Sequence, residues 1–452
     1  MDLKNQRVLV VGLARSGVAA AKLLHKKGAQ VVANDASPRE SLRSAIETLQ
    51  PLGIPVVSDG HPFTLLDSVS LIVKNPGIPY HMPLIAEALA RSIPIITEVE
   101  LAFQSTTAPI IGITGSNGKT TTTTLVGAMF LEADIPARVA GNIGLPLSEA
   151  VLTAQDETVL IVELSSFQLQ GTSEFRPRIA TVLNLYPAHL DYHGSFEAYA
   201  RAKENICTRQ GPMDRLILNM DNEHVRHFAD HSRAKVAWFS RLAPVPCGVY
   251  AYENHIYVRE AEGVEPICLL SIDKIQLPGS HNLENILAAT ATAFYAGVPI
   301  DAITATLQTF RGVEHRLEYV RSVNGVDYYN DSKATNPKAA LSAIRALDKP
   351  LVVLLGGLER GDDLKELSDG MRGCVKAVIA LGQSRERMAD AARQASVPNV
   401  HIAASFAEAV ALAAGAAQRG DAVLLSPAAA SWDQFKSFEE RGSIFKELVN
   451  KL

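Results

Sequence analysis

The chain has 452 residues, 47% of them hydrophobic and 20% charged, which is the composition of an ordinary globular protein and predicts about two to four domains. A formal net charge of −5 argues against general affinity for nucleic acids or anionic membranes, and no apolar run reaches the roughly 18 residues that span a bilayer. Four widely spaced cysteines without a CxxC pair, and an N-terminus that runs straight into a strand, predict a cytoplasmic protein with reduced thiols.

Predicted strands and helices alternate in three successive units, residues 1–97, 98–312 and 313–452. In the first unit, the strands RVLVVG, QVVAND and SLIVK surround a helix that ends near Gly28. In the second, residues 236–275 are rich in aromatic and β-branched side chains, which favours antiparallel strands. The third opens a helix at Asn336-Pro337. The pattern predicts an α/β protein of three domains, Rossmann-like at both ends, with a mainly parallel sheet in the centre.

Residues 109–130 indicate a nucleotide triphosphate site. A β-branched strand leads into a glycine-rich turn, residues 112–118, which Lys119, Thr120 and a helix follow. In this layout backbone amides face the phosphates, Lys119 supplies a positive charge and the Thr120 hydroxyl can bind Mg²⁺. Ile113 breaks the strict GxxxxGK[ST] spacing, but the flanking strand and helix still predict a P-loop-type ATPase domain. A plain glycine-rich turn would leave Lys119 unexplained.

The first turn of the chain, VVGLARSG at residues 10–17, suggests a second binding loop. It is similar to a dinucleotide fingerprint, but Ala14 replaces the middle glycine, which weakens the case for an NAD enzyme. The turn could hold another diphosphate, and Asp35, after the next strand, could accept a hydrogen bond from a ribose or base. Alternatively, residues 10–17 are only the first turn of an α/β sheet, without a ligand. Another candidate loop begins at Asn75.

Several polar residues in the central unit follow predicted strands. Glu163 ends a buried strand in VELSSFQL, where a carboxylate near a phosphate loop holds Mg²⁺; the alternative is a helix cap made by the two serines that follow. Asn142 lies in a turn where it can face phosphate. His189 occupies a loop suited to substrate or metal, His193 is a bystander because the HExxH glutamate is missing, and Lys203 is most simply a surface lysine.

The third unit has two polar segments after strands. Asp331, Lys333 and Thr335 crowd a strand-to-helix turn in YYNDSKATNPKAA, which suggests a site for an anionic ligand and ATP. Capping of the helix by Asn336 alone would leave Asp331 and Lys333 unassigned. The last strand runs into LLSPAAASWDQFKSFEERG, whose small residues allow a ligand close to the backbone, although packing would also explain them.

Together the motifs TGSNGKTT, VELSSFQL, AGNIG, HLD, the AK of ARAKENI, GSHNLEN, EHR and NDSKATNP resemble the Mur ligase family of ATP-dependent amide-bond ligases, over essentially the whole chain. GNIGLPL and LSPAAASWDQFKSFEERG look most like the member that adds D-glutamate to UDP-N-acetylmuramoyl-L-alanine through an acyl phosphate, in cytoplasmic peptidoglycan precursor synthesis. The resemblance implies that residues 1–97 bind the UDP substrate, 98–312 bind ATP and 313–452 bind the amino acid. It implies a monomer whose partners are these small molecules, with ATP and two Mg²⁺ ions.

The resemblance also implies roles for individual residues. Catalytic roles fall on Lys119, His189 and Lys203, with Lys203 carbamylated by CO₂ rather than left as a surface lysine. ATP contacts fall on Gly115, Asn117, Gly118, Lys119, Thr120, Thr121, Asn282, Asn285, Arg316 and Asp331. Metal ligands are Thr120, Glu163, His189 and the carbamate of Lys203. Substrate contacts are Arg15, Ser16, Asp35, Gly77, Asn142 and His189 for the UDP compound, and Lys333, Thr335, Ser431 and Phe438 for D-glutamate.

One loop departs from the family pattern. Some members carry a lysine after GG that meets the amino-acid carboxylate, whereas this chain reads GGLERGDD, with Arg360 at or near that place. Arginine can bind a carboxylate with two parallel hydrogen bonds, so the role could survive. Two other functions remain open. A folylpolyglutamate synthase-like enzyme conflicts with the α/β unit ahead of the phosphate loop, and a nucleotide-dependent switch conflicts with candidate ligands spread over three domains.

Overall fold

The computed structural model describes residues 1, 3–277, 279–347 and 349–452. The chain divides into two compact units, residues 1–310 and 311–452. The first unit carries two β-sheets and the second carries one. All three sheets are mainly parallel with helices between their strands, which confirms the predicted α/β class. The boundary at residue 97 between the first two predicted domains stays a prediction.

The first sheet has five strands, all parallel. Its strands are β1 (Arg7–Val11), β2 (Gln30–Asn34), β3 (Val56–Val57), β4 (Leu71–Lys74) and β5 (Ile95–Thr97), and its helices are α1 (Arg15–Lys26), α2 (Arg43–Leu49), α3 (Pro83–Ala90) and α4 (Glu98–Phe103), with 3₁₀ turns at Arg39–Leu42, Gln50–Leu52 and Phe63–Leu66. The order β3-β2-β1-β4-β5 reverses between β1 and β4. Ligands of open α/β sheets bind at such a reversal, beside the loops that follow the two strands.

The second sheet has nine strands in the order β14-β13-β12-β11-β10-β9-β6-β8-β7. Its strands are β6 (Ile110–Thr114), β7 (Ala137–Gly141), β8 (Val159–Glu163), β9 (Ile179–Val182), β10 (Arg215–Asn219), β11 (Lys235–Ser240), β12 (Gly248–Tyr252), β13 (His255–Arg259) and β14 (Ile267–Ser271). Its helices are α5 (Lys119–Glu132), α6 (Leu147–Thr153), α7 (Ser166–Leu169), α8 (Leu190–His193), α9 (Phe196–Glu204), α10 (Glu223–Arg226), α11 (Phe228–His231), α12 (Ser280–Tyr295) and α13 (Ile300–Thr309), with a 3₁₀ turn at Ile272–Lys274. Strand β6, which leads into the phosphate loop, lies between β8 and β9.

One strand direction differs from the prediction. Strands β12, β13 and β14 are antiparallel as expected, but β11 runs parallel to β12. The two strands meet where Trp238 is paired with Gly248, whose φ is +130°. A Cβ at Gly248 would lie 1.8 Å from the carbonyl oxygen of Trp238, so the close approach requires glycine there. Composition alone predicts a strand at these positions without predicting its direction.

The third sheet has the order β15-β16-β20-β17-β18-β19, and only β15 is antiparallel to its neighbour. Its strands are β15 (Glu318–Val323), β16 (Val326–Asn330), β17 (Leu351–Leu355), β18 (Val375–Ala380), β19 (Asn399–Ile402) and β20 (Ala422–Leu425), and its helices are α14 (Pro337–Ala346), α15 (Lys365–Met371), α16 (Arg385–Gln394), α17 (Phe406–Ala416) and α18 (Phe438–Asn450). The predicted cap of α14 is confirmed, because the Asn336 side chain accepts the amide of Ala339 at 2.9 Å.

Buried apolar side chains cover both faces of each sheet. In β6, Ile111 and Ile113 pack with α5 and α12 on one face, while Ile110 packs on the other. Because helices cover both faces, the parallel strands read as continuous apolar runs, and a polar side chain at a strand end stands out. Within the described part of the chain, no helix combines the length and the apolar character that crossing a membrane requires.

Candidate active site

The phosphate loop lies between β6 and α5, as predicted. Gly118 precedes the first residue of α5 with a φ of +79°, a conformation that glycine adopts without strain. A Cβ at Gly118 would lie 2.0 Å from Oδ1 of Asn285, and one at Gly115 would lie 2.8 Å from Cβ of Leu183. The structure therefore brings Asn285, from α12, directly against the loop, and α12 also carries Asn282, whose Oδ1 accepts from Asn285 at 3.3 Å.

Side chains around the loop hold its backbone in place. Nζ of Lys119 donates to the carbonyls of Gly115 and Ser116, at 2.9 and 3.0 Å. The amide of Asn117 donates to Oδ1 of Asn184 at 2.8 Å, and the amide of Ser116 donates to the Asn184 carbonyl at 2.9 Å. Asn184 was not predicted from the sequence. It follows β9, which neighbours β6, so finding it needs the strand order as well as the polar residue at a strand end.

Thr120 and Asn142 meet at the carboxylate of Glu163. The Thr120 hydroxyl donates to Oε2 at 2.8 Å, and Nδ2 of Asn142 donates to Oε1 at 2.9 Å. Glu163 is buried at the end of β8, beside the phosphate loop. The predicted serine cap also exists, since Ser165 caps α7, but it does not engage this carboxylate. A carboxylate and a hydroxyl are the oxygen donors that Mg²⁺ prefers, so these residues fit such an ion.

Lys203 is not a surface lysine, and that interpretation of the residues alone was wrong. Its side chain is 1% exposed, and Nζ donates to the carbonyl of Gly115 at 2.9 Å and to Oγ1 of Thr114 at 3.2 Å. Burial, and then the charge of Lys119, hold the pKa of Lys203 well below its ordinary value, against the opposing effect of Glu163. The amine is therefore favoured in its neutral, nucleophilic form directly beneath the phosphate loop.

His189 is exposed at the start of α8, with the left-handed φ of +54°. Its ring lies 4.9 Å from that of Phe167, which in turn meets Tyr192 edge-on at 4.6 Å. His193 is tied to the same cluster, since its Nε2 lies 3.0 Å from Oγ of Ser166. The aromatic cluster fixes the turn that carries His189, in the same compact unit as Glu163 and Lys203.

The predicted UDP-binding residues gather at the reversal point of the first sheet. The Asp35 carboxylate accepts the amides of Leu13 at 2.7 Å and Ser37 at 2.9 Å. Burial raises the pKa of Asp35, but these amide hydrogen bonds outweigh it and the pKa is below its ordinary value. Asp35 therefore shapes the turn that leads to Arg15, the first residue of α1.

The loop after β4 joins this turn. Nδ2 of Asn75 donates to Oγ of Ser16 at 3.1 Å, and Oδ1 of Asn75 accepts the amide of Gly77 at 3.1 Å. Four predicted residues, from the segments that follow β1, β2 and β4, thus share one edge of the sheet: Arg15, Ser16, Asp35 and Gly77.

In the second compact unit, Asp331 follows β16 and is buried. Its Oδ2 accepts the hydroxyl of Ser426 at 2.8 Å, and its Oδ1 accepts the amide of Leu317 at 3.1 Å. Burial raises the pKa of Asp331 to about 6, although these hydrogen bonds and the charge of Arg316 oppose the rise. Within the part of the chain that is described, Nε of Arg316 is buried without a hydrogen-bond partner. A buried donor of this kind suits a polar ligand.

The predicted D-glutamate residues lie on two segments of this unit: one follows β16, and the other follows β20 and runs into the first residue of α18. Nζ of Lys333 lies 5.5 Å from the ring centre of Phe438, so the structure brings these two together. The amide of Thr335 donates to the Lys333 carbonyl at 2.9 Å. Ser431 is buried on a separate loop, and the guanidinium of Arg360 stacks over its neighbour Trp432 at 5.0 Å.

Arg441, which was not predicted from the sequence, connects these loops. Its side chain is 2% exposed; Nε donates to Oγ of Ser332 at 3.0 Å and Nη1 donates to the Ala429 carbonyl at 3.1 Å. Burial lowers the pKa of Arg441 to about 10. The only signal in the sequence is its place on the inward face of α18, with Phe445 and Val449, where an arginine must find polar partners.

One further group of side chains has the composition of a metal site. Among the described residues, ligand atoms of Glu314, His315 and Glu318 lie within 4.8 Å of one another. Lys446 already offsets part of the negative charge of this group, because its Nζ donates to carboxylate oxygens of both glutamates. None of the three residues is among the predicted Mg²⁺ ligands.

Three models of the Mur ligase family match successive parts of the chain. Residues 6–97 match the model of the Mur ligase MurD-like N-terminal domain, 113–293 the Mur ligase middle domain, and 315–429 the Mur ligase glutamate ligase domain. The chain is 46% identical to a UDP-N-acetylmuramoylalanine--D-glutamate ligase of Geobacillus sp. (strain WCH70), over 99% of this chain and 98% of that relative.

Solved structures of low identity share the fold. A UDP-N-acetylmuramate-alanine ligase, MurC, from Thermotoga maritima has a TM-score of 0.57 at 17% identity and covers 99% of both chains. A MurF ligase from the same organism, solved in complex with ADP, has a TM-score of 0.56 at 15% identity, covering 100% of this chain and 96% of that one.

Proposed function

The chain belongs to the Mur ligase family, and we propose that it joins D-glutamate to UDP-N-acetylmuramoyl-L-alanine while ATP becomes ADP and phosphate. The observation that carries this assignment is the 46% identity, over 99% of the chain, to a ligase named for that reaction. The ADP complex of a structural neighbour adds support for ATP as the nucleotide. UDP-linked peptidoglycan precursors are made in the cytoplasm, and we place the enzyme there.

The reaction needs a leaving group that a free carboxylate lacks. A carboxylate oxygen of the alanyl group attacks the γ-phosphorus of ATP, which forms an acyl phosphate and releases ADP. The D-glutamate amine then attacks the acyl carbon, and the tetrahedral species loses phosphate and a proton to leave the amide. Catalysis is mainly positioning and charge neutralisation. Lys119 and the amides of residues 115–120 offset charge on the transferred phosphoryl group.

Two magnesium positions fit the side chains of the first unit. Thr120 and Glu163, with oxygens 2.8 Å apart, would hold one ion beside the phosphate loop. His189 and the carbamate of Lys203 would hold the other. When bound, the ions neutralise phosphate oxygens and lower the cost of bringing two anions together. The carbamate forms when the neutral Lys203 amine adds to CO₂ and loses a proton, and its buried amine suits that step.

The remaining assignments divide between the two units. The proposed ATP contacts of the first unit are Gly115, Asn117, Gly118, Thr121, Asn282 and Asn285. The proposed nucleotide contacts of the second unit are Arg316 and Asp331. Arg15, Ser16, Asp35, Gly77 and Asn142 bind the UDP substrate. D-glutamate carries two carboxylates, and Lys333 with Arg360 supplies positive charge for them. Thr335, Ser431 and Phe438 complete that site. The enzyme acts as a monomer.

Phosphate release tests the proposal. The purified chain is mixed with ATP, Mg²⁺ and UDP-N-acetylmuramoyl-L-alanine, and phosphate is measured with D-glutamate, L-glutamate, L-alanine or L-lysine. We expect release only when D-glutamate and the UDP substrate are both present. Release with another amino acid would mean that the chain is a ligase of this family with a different amino-acid substrate. Release without any amino acid would favour a nucleotide-dependent switch.

A further inference from the structure

A buried lysine ends β4 at the reversal point of the first sheet. The side chain of Lys74 is 0% exposed. Its Nζ donates to the carbonyl of Ile78 at 2.8 Å and to that of Pro76 at 3.4 Å, and it lies 4.4 Å from the centre of the Tyr80 ring. Burial lowers the pKa of Lys74 to about 8. Burying an amine is costly, and an apolar residue would fill the same strand position without that cost, so the contacts themselves call for an explanation.

These contacts of the Lys74 side chain fall on one loop, residues 75–80. This loop starts against the first turn of the chain. The side chain of Asn75 donates to Ser16, and the backbone amide of Asn75 donates to the Val11 carbonyl at 2.7 Å. The fit is close: a Cβ at Gly12 would lie 2.7 Å from Cβ of Asn75. The loop therefore forms one wall of the crevice where the UDP substrate is proposed to bind, and Lys74 determines the course of that wall.

A second side chain bonds to the same two carbonyls. Oη of Tyr192 lies 3.3 Å from the carbonyl oxygens of both Pro76 and Ile78, so its hydroxyl can donate to either. Tyr192 belongs to α8, the helix that starts directly after His189. Its ring packs on Phe167, which also packs on His189. The loop after β4 is thus connected, through one phenol and one aromatic cluster, to the turn that carries His189.

We propose that Lys74 is a positioning residue for the UDP-linked substrate, and that it acts with Tyr192 through the shared carbonyls of Pro76 and Ile78. Lys74 holds the loop from the strand side, and Tyr192 holds it from α8. Substrate bound at the loop and His189 are thereby kept in one relative position. This inference rests on the proposed function, because it takes the UDP substrate as the ligand of the loop.

The test is a double-mutant cycle on the full chain, with Lys74→Met, Tyr192→Phe and the double variant. Loss of a hydrogen bond to the loop raises KM for the UDP substrate by about three- to tenfold in each single variant, while KM for ATP stays unchanged. Because both side chains act on the same carbonyls, the effect of the double variant falls short of the product of the two single effects. Lys26→Met is the matched control, since Lys26 is an exposed lysine of the same unit, and it leaves both KM values unchanged.

Several results would overturn the inference. A lowered Tm with unchanged KM in Lys74→Met would mean that the lysine only stabilises the fold, and a double variant that equals the product would mean that the two residues act independently. If Lys74→Met does not fold, Tyr192→Phe decides alone, and an unchanged KM for the UDP substrate there refutes the coupling. Calorimetric titration with the UDP substrate separates the two proposals. Binding without D-glutamate-dependent turnover refutes the proposed function only, and no binding refutes both.

Discussion

Replacing Gly118 by alanine tests the phosphate loop with little risk to the fold. The φ of +79° at this position costs an alanine about 1–2 kcal/mol. The new Cβ would also stand 2.0 Å from Oδ1 of Asn285, where ordinary contact begins at 3.4 Å. The Asn285 amide, at the end of a flexible side chain, must therefore move by about 1.4 Å, the difference between those two distances.

The size of the effect follows from these two costs. The strain at φ lowers the free energy of unfolding by about 1–2 kcal/mol. The displaced amide is proposed to contact ATP, and a misplacement of about 1 Å near the reacting groups costs on the order of 10²-fold in rate. Gly118→Ala should therefore lower kcat/KM for ATP by about 10²-fold and leave most of the protein folded.

Gly263→Ala is the matched control. Gly263 has the same φ of +79°, and a Cβ there would meet nothing within 4 Å. Both variants should lose the stability that the φ strain costs, and Gly118→Ala should lose more in thermal unfolding because Asn285 is displaced. Phosphate release at varied ATP should fall only in Gly118→Ala. If Gly118→Ala retains the wild-type kcat/KM for ATP, or if Gly263→Ala loses it equally, the assignment of this loop and of Asn285 is refuted.

Three further predictions concern charged groups. Lys119→Ala loses at least about 10²-fold in turnover, and full activity in phosphate release would refute the phosphate loop. Lys203→Ala loses activity, and added acetate or bicarbonate changes the activity of that variant. Unaltered turnover in Lys203→Ala would refute the carbamate on Lys203. Burial raises the pKa of Asp331 to about 6, above its ordinary 3.8, so this group's stabilising contribution is lost as pH rises from about 4 to about 6. In urea titrations at several pH values, Asp331→Asn should weaken the fall in the free energy of unfolding between about pH 4 and pH 6. An unchanged pH dependence would contradict the raised pKa of Asp331.

Local patterns in the sequence were enough to predict the three α/β units. The phosphate loop is a continuous strand, turn and helix, so its elements follow from residues 109–130 alone. The cap at Asn336 likewise depends only on its neighbours in the chain. Such features are determined within a few residues, where propensity and hydrogen bonding to adjacent backbone decide the structure.

Contacts between distant segments were not predictable in this way. The burial of Lys203 depends on α9 packing beneath the phosphate loop, and a helix with charged neighbours reads as exposed. Asn184 reaches the loop only because β9 lies next to β6. The parallel direction of β11 depends on the close approach at Gly248. Family motifs pointed to Lys203 and Asn285, but Lys74 and Arg441 required the packed structure.

Transfer of an oxygen isotope tests the acyl-phosphate chemistry most directly. UDP-N-acetylmuramoyl-L-alanine labelled with ¹⁸O in its carboxylate is converted with ATP and D-glutamate, and the released phosphate is examined by mass spectrometry. Because a carboxylate oxygen attacks phosphorus and leaves with it, we predict one ¹⁸O in each phosphate, together with ADP and the D-glutamyl product. Unlabelled phosphate, or the label in AMP, would contradict the account.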